Sequence, residues 1–123
     1  AGMQSYVSEY FKSVCREYIL KLEESGRFPF EIEDEGQWIG KDGDIDFIAQ
    51  SDTGDTALGM CFWQKKITHD DLKRLVSLAR LARIEGDVIY LFSTVGFDAW
   101  LLDAAMKSSE SLKLIGINEL TNG

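Results

Sequence analysis

Residues 56–63, T-A-L-G-M-C-F-W, hold almost no polarity on either face. Side chains of a strand point alternately to opposite sides of its sheet, so a half-solvated strand alternates apolar with polar residues. A short apolar run without that alternation, closed here by Gln64-Lys65-Lys66, reads as a central strand covered on both faces. The rest of the chain therefore has to supply helices for two sides of a sheet and further strands for its edges.

The flanking segments can do this. Residues 5–24 predict a helix, with Val7, Phe11, Val14, Cys15, Tyr18 and Leu22 on one face, Ser5 as N-cap, and Gly26 and Pro29 ending it. Residues 35–40 predict a strand around Trp38, Lys41-Asp42-Gly43 a hairpin turn, and 44–50 a second strand. After the central strand, 68–84 predicts a helix opened by a Thr68/Asp71 capping box and closed by Gly86, with Leu72, Leu75, Val76, Ala79 and Ala82 as its apolar stripe. Residues 88–92 predict a buried strand. Residues 97–107 predict a helix with Phe97, Trp100, Leu101, Ala104 and Ala105 inward, and 112–117 a last strand. The order α-β-β-β-α-β-α-β predicts an α/β fold in three layers, a mixed sheet flanked by helices. With no repeat and no linker, residues 1–123 are expected to form one domain. Ala1-Gly2-Met3 reads as a cloning remnant at the head of a piece of a longer protein.

Composition narrows the function. The formal charge of −8 opposes a polyanion at long range, which counts against a free-standing nucleic-acid binder. No apolar stretch is long enough for a membrane helix and no signal peptide is visible, so the expected location is the cytoplasm. Cys15 and Cys61 lack a C-x-x-C partner and are expected to be reduced, buried thiols. The chain carries no glycine-rich dinucleotide fingerprint, no Walker A loop and no nucleophile elbow. Its single histidine, His69, lies in the first turn of a predicted helix, where a solvated role is expected, and no histidine triad is possible within one chain.

The unusual segment is G-D-I-D-F-I-A, residues 43–49. Asp disfavours strands, and the period of two puts Asp44 and Asp46 on one face, so the segment is a sheet end at the surface or a metal site. The pattern Asp-Ile-Asp-hydrophobic-hydrophobic-Ala, a turn, and a strand ending in Trp63 resembles the PD-(D/E)XK nuclease-like fold, also called restriction-endonuclease-like. Three motifs extend the likeness: F-K-S-V-C-R-E-Y-I-L (11–20), the Trp38 strand, and L-F-S-T-V-G-F (91–97). Together they resemble the C-terminal domain of unknown function found on prokaryotic (archaeal-type) AAA ATPases. The resemblance covers nearly the whole chain and implies a domain from the C-terminus of a longer ATPase chain.

In active members of that fold, an aspartate at the position of Asp46 binds a divalent cation, and a Glu-x-Lys on the next strand adds a carboxylate and an ammonium. Mg²⁺ needs hard oxygen donors, and it orients water and stabilises phosphate charge. In the ATPase-linked family the strand typically reads Gly-Glu-Cys-Lys-Trp; here it is Gly59-Met60-Cys61-Phe62-Trp63. Met60 stands at the glutamate position and Phe62 at the lysine position. The resemblance therefore implies a degenerate site, with apolar side chains on the reacting face, no catalytic residue and no cofactor. Asp46 is the one possible metal ligand, and Glu17, Asp44 and Lys65 are possible remnants. If activity persists, Mg²⁺ is the cofactor.

Charge is also segregated. Residues 65–83 carry Lys65, Lys66, Lys73, Arg74, Arg80 and Arg83 against Asp70 and Asp71, a net +4, which leaves −12 for the remainder of a chain at −8. The bland reading is a solvated helix face; the functional one is a docking patch for an acidic partner or nucleic acid. The expectation is a non-catalytic accessory domain that binds an upstream ATPase module or another protein. The alternatives are a divalent-metal nuclease (a phosphodiesterase) with a rearranged site, and a nucleic-acid-binding domain that has lost cleavage.

Overall fold

The computed structural model describes residues 2–122, and the side chains of residues 9–121. It contains α1 (Gly2–Glu24), β1 (Asp34–Gly40), β2 (Gly43–Gln50), β3 (Thr56–Phe62), α2 (His69–Leu81), β4 (Val88–Ser93), α3 (Ala99–Lys107), β5 (Leu112–Ile115) and α4 (Ile117–Asn122). The strands form one five-stranded sheet in the order β1-β2-β3-β4-β5. The first two ladders are antiparallel and the last two parallel, so β3 is both the middle strand and the junction between pairing modes.

Helices cover both faces. On one side Phe11, Cys15, Ile19 and Leu22 of α1 pack with Phe47, Ala49, Tyr90 and Phe92, and Leu120 of α4 joins the edge of this cluster. On the other, Leu75, Leu78 and Ala79 of α2 and Leu101 of α3 pack with Ile45, Leu58, Leu91 and Leu112. The fold is therefore α/β with a mixed sheet between two helical layers. No helix among the described residues is long and apolar enough to cross a membrane.

Several sequence expectations shift in detail. α1 starts at Gly2, so Ser5 lies within the helix rather than at its cap, and the side chains of Ser5 and Val7 lie outside the described residues. Ile19, absent from the predicted stripe, is fully buried. α2 ends at Leu81, earlier than Gly86, because Arg83 takes a left-handed conformation (φ 58°) that no helix continues through. Trp100 was expected inward but is 48 % exposed, stacked on His69 at 3.5 Å between ring centroids. The short α4 had no predicted counterpart; its six residues carry no apolar repeat long enough to read.

The loops after β3 and β4 are tied together. The Asp98 carboxylate caps α3 by accepting from Leu101 N (2.9 Å) and also accepts from His69 N (2.8 Å) at the start of α2. Ser93, fully buried, donates to the Lys65 carbonyl (2.7 Å) and accepts from Val95 N and Gly96 N. Thr94 Oγ1 accepts from Gln64 N (2.9 Å). The S-T-V-G-F motif is thus a hydrogen-bonded clasp between two crossover loops, which satisfies backbone donors that would otherwise lack partners.

Candidate functional site

The candidate site lies where β2 and β3 separate. Their ladder ends at Phe47 opposite Gly59. Just beyond it the β1–β2 register slips: Gly36 faces Ile48 but Trp38 faces Ile45, so Gln37 alone spans Asp46 and Phe47. The extra residue is a β-bulge. Strict alternation would put Ile45 and Ile48, three apart, on opposite sides of the sheet; the bulge lets both pack in the α2 layer, while Phe47 packs in the α1 layer.

The bulge aims Asp46 into a cleft of about 180 Å³ beneath α1, lined also by Lys12, Cys15, Gln37 and Cys61. Asp46 Oδ2 accepts from the Cys61 backbone N–H at 2.9 Å, taking the place of the strand partner that Cys61 lost at the fork. Its other oxygen lies 3.4 Å from Lys12 Nζ. The Asp46 side chain is only 9 % exposed while that of Lys12 keeps 30 %, so this is a partly desolvated ion pair. Burial works to lower the Lys12 pKa, but Asp46 and then Glu9 outweigh it, and the ammonium is held above its ordinary value. Glu9 reaches Lys12 from solvent at 3.4 Å. The Cys61 thiol is pushed well above its ordinary range, first by its hydrogen bond with the Cys15 thiol and then by burial. Such a thiol is a poor nucleophile, since the thiolate is the reactive form.

The sequence-based residues do not converge as expected. Met60 and Phe62 pack in the α2–α3 layer, on the opposite face of β3 from Asp46. The side chain that β3 turns toward Asp46 is Cys61. The reason is the fork: past Gly59 the strands no longer pair, and alternation along β3 sends residues 60 and 62 away from the bulged aspartate. Glu17 is exposed on α1 and does not line the cleft. Asp44 is exposed near the hairpin end of β2. Lys65 lies on the far side, its ammonium over the Phe62 ring and bonded to Asp71 at 2.7 Å. Among the described residues no group of three His, Cys, Asp or Glu could hold a metal ion. The donor set at Asp46 suits Mg²⁺ poorly: one carboxylate, already engaged by an ammonium and an amide, with thiols as neighbours.

Sequence reasoning missed Lys12 and Cys15 as parts of one site. The signal was present, because Lys12 precedes Cys15 by three residues and so borders the buried helix face. Cys61 was expected to be buried and is only partly so.

Residues 1–75, which hold α1, the first three strands and half of α2, match the family model DUF234, described as archaeal and bacterial proteins of unknown function. The chain belongs to this family. The matched region contains Lys12, Cys15, Asp46 and Cys61, so every polar residue named in the cleft of this DUF234 chain lies inside it, while Phe92 of its lining lies beyond. No curated protein and no solved structure matches the chain.

The predicted basic patch resolves into two groups. Lys65 is committed to Asp71, Lys73 lies 3.9 Å from Asp70, and Arg74 donates to the Asp42 carbonyl at 3.1 Å. Lys66, Arg80 and Arg83 are exposed and form no ion pair among the described residues.

Proposed function

We propose that this DUF234 chain is a non-catalytic, cytoplasmic accessory domain of a prokaryotic AAA-type ATPase, built on a nuclease-like fold whose reaction centre has become structural. One observation carries the reading: Asp46, the carboxylate a nuclease would use for its metal, is neutralised by Lys12 and spends its second oxygen on the Cys61 amide. A carboxylate committed in this way stabilises the fork rather than an incoming cation. The partner surface on this reading is the outer flank of α2 with the turn after it, where Lys73, Arg80 and Arg83 are exposed. That cationic surface suits an acidic protein face on the ATPase module, within a Debye length of ~8 Å.

The second reading, a metal-dependent phosphodiesterase with a rearranged site, has Lys12 in its favour, since α1 brings an ammonium to Asp46 from outside β3. Calorimetry with Mg²⁺ and Mn²⁺ separates the two. The accessory reading expects binding no tighter than millimolar; a stoichiometric site of ~10 µM, about 7 kcal/mol, would overturn it. Charge reversal at Lys73, Arg80 and Arg83 should abolish association with a separately expressed ATPase module and leave the melting temperature unchanged. Sub-micromolar binding of duplex DNA at physiological salt, lost on the same reversals, would favour a nucleic-acid-binding domain.

A further inference from the structure

Among the described residues no strand pairs with the outer edge of β1. β1 pairs only with β2, and Ile39 on it is 70 % exposed and Trp38 37 % exposed. Proteins usually blunt such an edge with proline, an inward charge or a bulge on the edge strand itself. β1 has no proline, its last five residues G-Q-W-I-G are uncharged after the opening Asp34-Glu35, and the bulge lies on β2, behind it.

The hairpin fixes which backbone groups face outward. Gly40 and Gly43 flank the two-residue loop Lys41-Asp42, and the pair closing such a loop exchanges both hydrogen bonds. Counting back, Gly40 and Trp38 turn their N–H and C=O toward β2. Ile39, and by alternation Gln37, present theirs to solvent. An unpaired row of this kind is a template for another strand.

From this edge we infer that β1 pairs antiparallel with β1 of a second copy, joining two five-stranded sheets into one. Side-by-side antiparallel pairing of identical strands requires a two-fold axis perpendicular to the sheet. Directly opposed residues must then share a face, so their numbers have the same parity. With Trp38 on the axis, Trp38 meets Trp38 of the other copy at a non-hydrogen-bonded site, where cross-strand Cα atoms are closest, about 4.5 Å. Gln37 and Ile39 then form the outward hydrogen-bonded pairs, and Glu35 comes beside Lys41, the first turn residue after β1, of the other copy, twice. A shift of two residues either way sets Ile39 opposite Glu35 or Trp38 opposite Gly40. The Trp38 register therefore joins an aromatic pair with two opposite-charge pairs, each of which stabilises a ladder. Lys41 is exposed and forms no ion pair among the described residues, and Glu35 is held in place by Arg16. The occupant is a second copy rather than an arbitrary strand, because the edge complements its own charge pattern.

The test is sedimentation equilibrium at physiological salt, which screens repulsion between two chains of −8. The unaltered chain should reach the mass of a dimer by ~200 µM, as expected for a small interface. Lys41→Glu and Glu35→Lys should each be monomeric, since each sets like charges opposite one another twice. Mixing the two variants should restore a dimer of mixed composition, because every pair is again opposite in charge. Far-UV circular dichroism melts check that both variants are folded. A chain still monomeric at ~500 µM, a dimer insensitive to Lys41→Glu, or a mixture that stays monomeric would each overturn the inference.

Discussion

The two faces of the sheet are built on different principles although they share the same strands. The α2–α3 face is apolar apart from Lys65 and Asp71 at its rim: Met60 and Phe62 of β3 pack there with Leu58, Leu75 and Leu91. The α1 face has comparable aromatic packing, with Phe11 against Trp63 at 5.6 Å and Tyr18 against Phe92 at 6.0 Å. It also carries an ion pair, two thiols in contact and a cleft. The boundary between the two is one residue wide, since Met60 and Phe62 face one way and Cys61 the other. Polar groups gather where backbone pairing fails, because an unpaired amide demands an acceptor. Where the ladder is intact, apolar packing is sufficient.

The largest effect expected from this contrast comes from putting charge into the apolar face. Met60→Glu with Phe62→Lys should lower stability by about 1–3 kcal/mol, read as a fall in the urea midpoint, because both partly buried side chains would carry charge into apolar packing and the new ammonium would meet that of Lys65. An unchanged midpoint would mean that the two faces do not differ in this way. On the other face, Lys12→Met leaves Asp46 desolvated with one amide donor and should cost about 1–3 kcal/mol. Adding Asp46→Asn keeps an acceptor for the Cys61 amide and removes the unpaired charge, so the double variant should recover most of the loss. If it recovers nothing, the pair is not what holds the fork.

A smaller effect is expected at the edge of the α2–α3 layer. The Asp71 carboxylate accepts from Thr68 N at 2.8 Å and from Lys65, and Asp71→Ala should cost about 1 kcal/mol. Burial works to raise its pKa, but the bond from Lys65 and the cap at Thr68 outweigh it, leaving the carboxyl below its ordinary value of 3.8. A depressed carboxyl stabilises the fold fully above that ordinary value, and the contribution is lost as pH falls through the lower folded value. The stability difference between the parent and Asp71→Ala should therefore be constant from neutrality to about pH 5 and vanish under stronger acid. Urea titrations at a series of pH values read this directly.

Much of the fold was legible in the sequence because its signals are local. The unalternating run at 56–63 marked the central strand, Asp42-Gly43 marked a hairpin whose Gly43 takes φ 144°, and Thr68/Asp71 marked the start of α2. The site was less legible because it depends on one non-local event. Period-two reasoning assumes a continuous ladder, and the bulge at Asp46-Phe47 with the fork after Gly59 breaks that assumption at the one place where the facing of Asp46, Met60 and Phe62 was to be decided. The exposure of Trp100 was hidden for a related reason: its indole found a partner in His69, on a different helix, that no helical periodicity reveals.

The strand order has a kinetic consequence. Because β1 to β5 lie side by side in chain order, every ladder joins neighbours in sequence, and loop-closure entropy is modest for each. α1 is the exception. It precedes every strand in the element order, yet its Cys15 and Tyr18 find partners at Cys61 and Phe92, more than forty-five residues downstream. Docking of this one helix therefore closes longer loops than any ladder does, and its amphipathic face stays uncovered until the fourth strand has been synthesised.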